Sequence, residues 1–367
     1  MVTSGKPDLI RRYNRDLIQE LILEKGPITK VELARLSGAS VPTVNKIVNQ
    51  LEADGLICSV AEGSNTVGRK AASYVVNKDS GYFILFFVQN ACIRAGLADS
   101  YGDILLEKNY TPEMSSIKAV NGALFDAAGS FIREIPREKL KAIGLGVPGV
   151  IDAENRITVI PTVPCWEGFD LKSQLEEKYG IPVFLENDVK LMTVGVYKCE
   201  FSEKYRNMVF LYASEGLGAG IVINGHLYKG FSSFAGEYGF MLPNFEKAES
   251  HSGSMGDLEF NLRPLAEKKI RGEAFTDRES ERYEQILSGI ITNFTAVLNP
   301  DVISVCAPGL TENELERIRR RTLERIPENC MPELAITREE NYGINGVAEM
   351  CLTGINSKIS LIDETGL

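Results

Sequence analysis

The first 55 residues carry apolar side chains at the spacing of short amphipathic helices. The first run predicts a helix over residues 8–25, with apolar positions Leu9, Ile10, Leu17, Ile18, Leu21 and Ile22. Gly26-Pro27 ends this helix. Thr29 and Glu32 have the spacing of a capping box, which predicts a second helix that runs to about Leu36 and ends at Gly38.

A third predicted helix separates apolar and polar positions onto opposite faces. Ser40 is a suitable N-cap, Pro42 is tolerated in the first turn, and Gly55 ends the helix. The buried stripe is predicted to be Val44, Ile47, Val48 and Leu51. The opposite face carries side chains of suitable length for base edges and phosphates, namely Thr43, Asn45, Lys46, Asn49 and Gln50.

After the third helix the pattern changes to that of a hairpin. Strands are predicted at residues 56–60 and 73–76, and the polar loop at 61–70 carries Arg69 and Lys70 near its tip. Such a set is typical of a winged helix-turn-helix. Taken singly, the helix also fits a solvated helix and the loop an ordinary charged turn, whereas the ordered set favours DNA binding. The predicted DNA-contacting residues are Ser40, Thr43, Asn45, Lys46, Asn49, Arg69 and Lys70.

Charge is distributed unevenly along the chain. Residues 1–75 contain ten Lys and Arg against eight Asp and Glu, a net charge of +2. The remainder contains thirty against forty-two, a net charge of −12. Because an acidic surface repels phosphate backbones, we expect any nucleic-acid contact to lie within the first 75 residues.

Cysteine usage and apolar runs bear on the compartment. The seven cysteines are scattered and form no CxxC pair, which favours reduced thiols in a cytoplasmic protein. The N-terminus has no apolar signal-peptide core, and the longest apolar run, residues 82–88, is too short to span a bilayer. We therefore expect a cytoplasmic protein with no membrane partner.

From residue 82 the pattern becomes that of a mixed α/β fold. Strands are predicted at 82–88, 92–98, 103–108 and 142–146, and a helix at 117–134. Periodicity alone supports an α/β class with a mixed sheet. A chain of 367 residues suggests two or three domains, and we divide it into residues 1–78 and 79–367.

Six short motifs follow one another in an order that resembles one family. They are VGRK at 67–70, GLGVPG at 144–149, END at 186–188, AGEYG at 235–239, LNPDVI at 298–303 and GINGVA at 343–348. The chain resembles the ROK family of repressors and sugar kinases, in particular its xylose-repressor and N-acetylglucosamine-repressor branch. The resemblance implies a winged helix-turn-helix followed by a two-lobed actin/hexokinase-like (ribonuclease-H-like) sugar-kinase fold. That second domain would serve as sensor and dimerisation domain, with its lobe boundary near residues 188–200.

The family's phosphate-binding motifs are altered here. In family kinases a D-x-G-G-T motif holds ATP phosphates and Mg²⁺, and by the resemblance those positions hold Phe87, Gln89, Asn90 and Ala91. The second phosphate loop carries Glu215, whose charge is unfavourable beside a nucleotide phosphate. We expect its three glycines to form only a tight turn between sheet and helix: Gly216, Gly218 and Gly220. The departures predict no phosphoryl transfer, no catalytic residue and no cofactor.

The family's zinc site is altered as well. The resemblance implies one His and three Cys as ligands, and the corresponding positions hold Phe240, Ser250, Ser252 and Asp257. Because zinc prefers thiolate and imidazole ligands, we expect no structural metal. The two histidines are expected at the surface, His226 beside a hairpin turn at Asn224-Gly225 and His251 among the altered ligand positions.

The residues on the sugar side match the family better. The resemblance implies sugar contacts from Gly149, Asn187, Asp188, Glu237, Phe240 and Glu259, and five of these six positions keep the family's residue type. Carboxylates and amides suit sugars because each hydroxyl both donates and accepts hydrogen bonds. Phe240 replaces an imidazole, and it is expected either to stack on the apolar face of a pyranose or to close the pocket.

Together these features predict a DNA-binding transcriptional regulator, a repressor of carbohydrate metabolism, whose kinase-like domain is catalytically inactive. Its expected partners are a palindromic double-stranded DNA operator, a sugar or sugar phosphate effector, and further copies of the chain in a homodimer or higher oligomer. Two alternatives stay open. One is a regulator without an effector, whose second domain serves for dimerisation or protein docking; the other is an active ATP-dependent sugar kinase.

Overall fold

The computed structural model describes residues 5–60, 72–89, 91–151, 156–160, 162–214, 216–242, 256–338 and 341–361. Its helices are α1 (Gly5–Lys25), α2 (Lys30–Ser37), α3 (Val41–Ala53), α4 (Ile117–Ile132), α5 (Leu171–Tyr179), α6 (Asp188–Val196), α7 (Asp257–Ile270), α8 (Asp277–Leu298), α9 (Glu312–Leu323) and α10 (Tyr342–Leu361). Among the described residues, none of these helices combines the length and apolar character needed to cross a membrane.

The strands form four sheets. In chain order they are β1 (Ile28–Thr29), β2 (Ile57–Val60), β3 (Ser73–Val76), β4 (Tyr82–Gln89), β5 (Cys92–Asp99), β6 (Ile104–Tyr110), β7 (Leu140–Val147), β8 (Val150–Ile151), β9 (Ile157–Val159), β10 (Val183–Asn187), β11 (Met208–Ala213), β12 (Leu217–Ile223), β13 (His226–Leu227), β14 (Val302–Cys306) and β15 (Glu333–Ile336). The sheet orders are β1-β3-β2, β8-β9, β10-β7-β4-β5-β6 and β13-β12-β11-β14-β15.

The N-terminal unit packs α1, α2 and α3 on the small three-stranded sheet. Thr29 and Glu32 form the predicted capping box of α2, and Ser40 caps α3. The predicted stripe of α3 is buried, together with Ile18 and Leu33 of the neighbouring helices. Strand β1 was not predicted, because two residues carry no periodicity; it forms by pairing with β3. The prediction of three helices and a hairpin is confirmed, and the loop at 61–71 lies outside the described residues.

The C-terminal unit contains two five-stranded sheets with helices on both sides and between them. Helices α4 and α5 cover the outer face of the first sheet, and α7, α8 and α9 that of the second. Helices α6 and α10 contribute to a shared core that also includes side chains of both sheets. The α/β class with mixed sheets is confirmed, because each five-stranded sheet contains both parallel and antiparallel pairs.

Helix α6 approaches its neighbours unusually closely at three glycines. A Cβ on Gly195 of α6 would overlap the carbonyl oxygen of Tyr342, and one on Gly346 of α10 would overlap that of Leu191. On the other side of α6, a Cβ on Gly220 of β12 would overlap Thr193. These glycines are required by close packing, because backbone or a buried side chain occupies the space of a methyl group.

The expectation of a tight turn at Gly216, Gly218 and Gly220 is wrong. Gly218 and Gly220 lie inside β12, where they pair with Tyr212 and Phe210 of β11 in an antiparallel ladder. Neither has the positive φ of a turn glycine. The physical reason is that the strand runs directly beneath α6, and a side chain on this face would push the helix away.

Substitution of Gly346 tests this packing. We expect Gly346→Ala to lower the free energy of unfolding by about 1–3 kcal/mol, because its methyl group would overlap the backbone of α6. The matched control is Gly289→Ala in α8, where a Cβ meets no atom within 4 Å and better helix propensity is expected to raise stability by about 0.5–1 kcal/mol. Urea unfolding of both variants measures the difference. Equal stabilities would contradict the packing argument.

Candidate functional site

The polar face of α3 is open to solvent. Asn45, Lys46 and Asn49 are exposed, as predicted for a helix that reads DNA. Ser40 and Thr43 have a structural role as well, since the Ser40 hydroxyl accepts from the backbone N–H of Thr43 at 3.4 Å and lies 2.8 Å from the Thr43 hydroxyl. The two wing residues of the prediction, Arg69 and Lys70, lie outside the described residues.

Sequence reasoning missed a cation beside this surface. Lys30, the first residue of α2, donates to the side-chain oxygen of Asn49 at 2.6 Å and lies 5.0 Å from the ring centroid of Tyr74. It therefore brings a positive charge from α2 to the polar face of α3. Its place directly after the N-cap Thr29 identified it as the first residue of the helix, but the sequence did not show the direction of its side chain.

The first half of the candidate sugar site forms where β10 meets α6. Asn187 caps α6 by accepting from the N–H of Lys190 at 3.1 Å, and its amide donates to the Gly149 carbonyl at 2.9 Å and to Asp188 at 3.0 Å. Asp188 is buried and accepts from the N–H of Val189 at 2.8 Å. Three predicted sugar-contacting residues are thus joined in one hydrogen-bonded group.

The second half lies where a short 3₁₀ turn, Tyr238–Phe240, packs on the start of α7. Gly239 allows this contact, because a Cβ there would lie 3.3 Å from a carboxylate oxygen of Glu259. Burial raises the pKa of the Glu237 carboxyl, the Lys190 ammonium lowers it, and Glu259 raises it further. Burial also raises the pKa of Glu259, which Arg263, 3.8 Å away, opposes.

Lys190 connects the two halves, and sequence reasoning missed it. Its side chain is only 5% exposed, and its ammonium donates to the carbonyl of Ser233. Burial lowers its pKa, whereas the charges of Glu186 and Glu237 raise it. A lysine in the first turn of a helix is ordinarily solvated, so no sequence signal predicted its burial.

Phe240 lies at the surface of this second half. Its side chain is 42% exposed, and its ring centroid is 5.3 Å from that of Phe234 at an interplanar angle of 52°. The six predicted sugar-contacting residues fall into two groups, Gly149-Asn187-Asp188 and Glu237-Phe240-Glu259. Lys190 contacts the first group through its backbone N–H, which donates to Asn187, and its ammonium interacts electrostatically with Glu237 of the second.

The positions that hold phosphates in family kinases have other roles here. Phe87 is 1% exposed and packs so tightly that a Cβ on Gly343 would overlap its ring. Gln89 donates to the Tyr212 hydroxyl at 3.1 Å across the two sheets. An apolar ring and a hydrogen-bonded amide thus occupy the positions at which the resemblance implies a carboxylate and a glycine that help to hold metal and phosphate. Asn90 and Glu215 lie outside the described residues.

The described residues contain no group of three or more His, Cys, Asp and Glu that could hold a metal ion. Of the altered zinc positions, Asp257 begins α7, whereas Ser250 and Ser252 lie outside the described residues, as does His251. His226 is exposed after a turn in which Asn224 and Gly225 both have positive φ, as expected for the predicted hairpin.

The described fold is a winged helix-turn-helix joined to a two-lobed sugar-kinase fold. Comparison with known proteins gives its family: the chain belongs to the ROK family, which matches residues 90–331, and a winged helix-turn-helix DNA-binding family matches residues 11–57. The chain is 30% identical over 292 residues to a xylose repressor of Bacillus subtilis (strain 168), which is 79% of this chain and 75% of that protein.

Two solved structures share the fold. A ROK family transcriptional regulator, described as a homologue of the E. coli MLC protein, has a TM-score of 0.77 at 19% identity and covers 97% of this chain and 99% of its own. A ROK hexokinase from Thermus thermophilus has a TM-score of 0.64 at 21% identity, with 75% and 99% covered. The resemblance and the fold class drawn from the sequence are confirmed.

Substitution of Lys46 tests the DNA-binding face. We expect Lys46→Ala to weaken binding to a duplex selected from random sequences by about fivefold to tenfold, and to lower the slope of log affinity on log salt by about 1, since one phosphate contact is lost. The matched control is Lys118→Ala, which removes an exposed lysine from α4 in the acidic unit. Fluorescence anisotropy measures both. Identical affinities and salt slopes for the two variants would remove Lys46 from the interface.

Proposed function

We propose that this chain is a transcriptional repressor of sugar metabolism whose affinity for DNA depends on a sugar bound at the Asn187–Glu237 site. The observation that carries the proposal is the half-buried Glu237 carboxylate, for which no described side chain donates a hydrogen bond. A carboxylate that is partly withdrawn from water and has no donor is costly, and sugar hydroxyls supply donors. Membership of the ROK family and the exposed face of α3 support the DNA-binding half.

The charge of the site favours a free sugar over a phosphorylated one. Asp188, Glu237 and Glu259 face the site with one buried cation, Lys190, while the ammonium of Lys229 is paired with Glu186. A phosphate dianion would be repelled by these three carboxylates, whereas neutral hydroxyls donate to them. The Lys190 ammonium supplies complementary donors.

The proposal assigns no phosphoryl transfer to the chain. Asp188 would accept a hydrogen bond from a sugar hydroxyl rather than act as a base, because Phe87 and Gln89 replace groups that hold metal and phosphate. The chain is then a pseudokinase, with DNA-binding residues 1–78 and a sensor at 79–367 whose lobes divide near residues 188–200.

A path for coupling runs through two helices. Helix α6 begins at the sugar site and packs on α10, and α10 contacts α1 of the DNA-binding unit. A ligand that binds one arrangement of α6 better than another shifts the population of that arrangement and, through α10, the orientation of α1. A homodimer would place two α3 helices on the half-sites of a palindromic operator.

Thermal unfolding against a panel of free and phosphorylated sugars tests the sugar site. A free sugar at about 100 times its Kd is expected to add about 2.7 kcal/mol of stability, and each kcal/mol moves the midpoint by about 2–4 °C. We expect Glu237→Gln to lose this shift, while the exposed control Glu203→Gln keeps it.

The Gln variant is expected to fold. Because burial raises the pKa of Glu237, its charge costs stability at neutral pH, and that cost disappears as the pH falls through the raised pKa. Glu237→Gln is therefore expected to be at least as stable as the wild type at pH 7. A flat panel for the wild type would favour the alternative function, a regulator without an effector whose site is closed by Phe240.

An assay with ATP, Mg²⁺ and mixed free sugars tests the assignment of no catalysis. We expect no sugar phosphate above the amount formed without protein, since the phosphate-holding positions are occupied by apolar and engaged side chains. Mass spectrometry of the sugars gives the answer. Turnover in the ordinary enzyme range of about 1–10³ s⁻¹ would make the chain a sugar kinase.

A further inference from the structure

Two phenylalanines form an exposed aromatic pair at the edge of the candidate sugar site. The side chain of Phe234 is 50% exposed, that of Phe240 is 42% exposed, and their rings contact each other. The exposure of two adjacent apolar rings to water is unfavourable in free energy, and exposed apolar patches of this kind mark binding surfaces.

The position of this pair is fixed relative to the sugar-binding residues. Phe234 follows Ser233, whose carbonyl accepts from the Lys190 ammonium in the first turn of α6. The carbonyl of Phe234 accepts from the N–H of Glu237 at 3.3 Å, and that of Glu237 accepts from the N–H of Phe240 at 3.2 Å. Both rings therefore belong to the same short stretch of backbone as the Glu237 carboxylate.

The backbone of this stretch is rigid enough to hold the rings in place. Ser233 and Gly236 have positive φ, and the carbonyl of Gly236 accepts from the N–H of Ala219 in β12 at 2.8 Å. A Cβ on Gly236 would overlap the Ala219 carbonyl oxygen, so the loop lies directly on the strand. At its start, Lys229 pairs with Glu186, the neighbour of Asn187. The loop is thus tied to both lobes.

The polar side chains beside the aromatic pair indicate which kind of ligand covers it. A pyranose or furanose ring has an apolar face of C–H groups, which packs on aromatic rings. It also has a rim of hydroxyls, which hydrogen-bond to carboxylate and amide acceptors. Here the acceptor Glu237 belongs to the same turn as Phe240, Glu259 packs on that turn at Gly239, and Asn187 and Asp188 lie with Lys190 at the N-terminus of α6. A first sugar ring that hydrogen-bonds to Asn187, Asp188 and Glu237 leaves the exposed aromatic pair uncovered. A second sugar ring can then pack on that pair.

We propose that the ligand of this site is a disaccharide or longer glycoside, whose first ring binds the carboxylates and whose second ring packs on the Phe234–Phe240 pair. The proposal rests on the proposed function, since it deepens the same site. Phe240 then serves as half of an aromatic platform, which accounts for a phenyl ring where the family has an imidazole.

Calorimetric titration of the full chain with paired ligands tests the inference. The pairs are xylose with xylobiose, glucose with cellobiose, and N-acetylglucosamine with its β-1,4-linked disaccharide. In at least one pair the disaccharide is expected to bind about tenfold more tightly than the monosaccharide, since a second ring buries apolar area on the platform.

We expect Phe234→Ala to bring this ratio of affinities close to one and Phe234→Trp to retain it. Phe231→Ala is the matched control: it removes a fully exposed phenylalanine outside the pair, and it is expected to keep the ratio.

The outcomes separate the inference from the proposed function. A monosaccharide that binds as tightly as its disaccharide, or a ratio that Phe234→Ala leaves unchanged, would overturn the second-ring proposal while the sugar site stands. No binding by any of the six sugars up to millimolar concentration would overturn both. A change of oligomeric state in Phe234→Ala, measured by analytical ultracentrifugation, would assign the aromatic pair to a contact between copies of the chain and would also overturn the proposal.

Discussion

Helix α6 is held between α10 and β12 at separations that only glycine permits, and the rest of the C-terminal unit is arranged around this contact. Gly195 and Gly346 let the two helices approach until backbone touches backbone, and Gly220 lets the helix lie directly on the strand. Side chains of both sheets pack on these helices in one shared core. Because α6 is close-packed on both sides, a displacement of α6 would require α10 or β12 to move with it.

The position of α6 also determines the electrostatics of the site. Its N-terminus places Asn187 and Asp188 where the helix dipole stabilises negative charge, and Asp188 lies in the first turn. Lys190 in the same turn is buried against that dipole and compensated by Glu186 and Glu237. The N-terminus of α6 thus combines one buried cation with several acceptors, and the proposal of a neutral sugar rests on this arrangement. The Lys190–Ser233 contact extends the same arrangement to the loop that carries the aromatic pair.

Local patterns predicted the N-terminal unit nearly to the residue, because helix caps and turn glycines are encoded by neighbours in sequence. Thr29 with Glu32 and Ser40 with Thr43 show this directly. What failed depended on distant parts of the chain. The buried Lys190 ammonium donates to a carbonyl 43 residues away in the chain. Glycine is required at position 220 because α6, which precedes it in the chain, packs on that position. The two-residue strand β1 exists only because β3 pairs with it. The motifs gave a prediction for the sugar-contacting residues, but only the fold brought Phe234 beside Phe240.

In the proposed function, a sugar at the α6 N-terminus changes the affinity of α3 for DNA. The most direct measurement is the Kd for a selected operator duplex, by fluorescence anisotropy, in the absence and presence of a saturating free sugar, together with the Kd of the sugar in the absence and presence of DNA. Linkage requires the two ratios to be equal, and couplings of this kind are about 5- to 150-fold. The account predicts equal ratios within that range. A sugar that binds without changing the Kd for DNA would show that the two sites are uncoupled and would contradict the account.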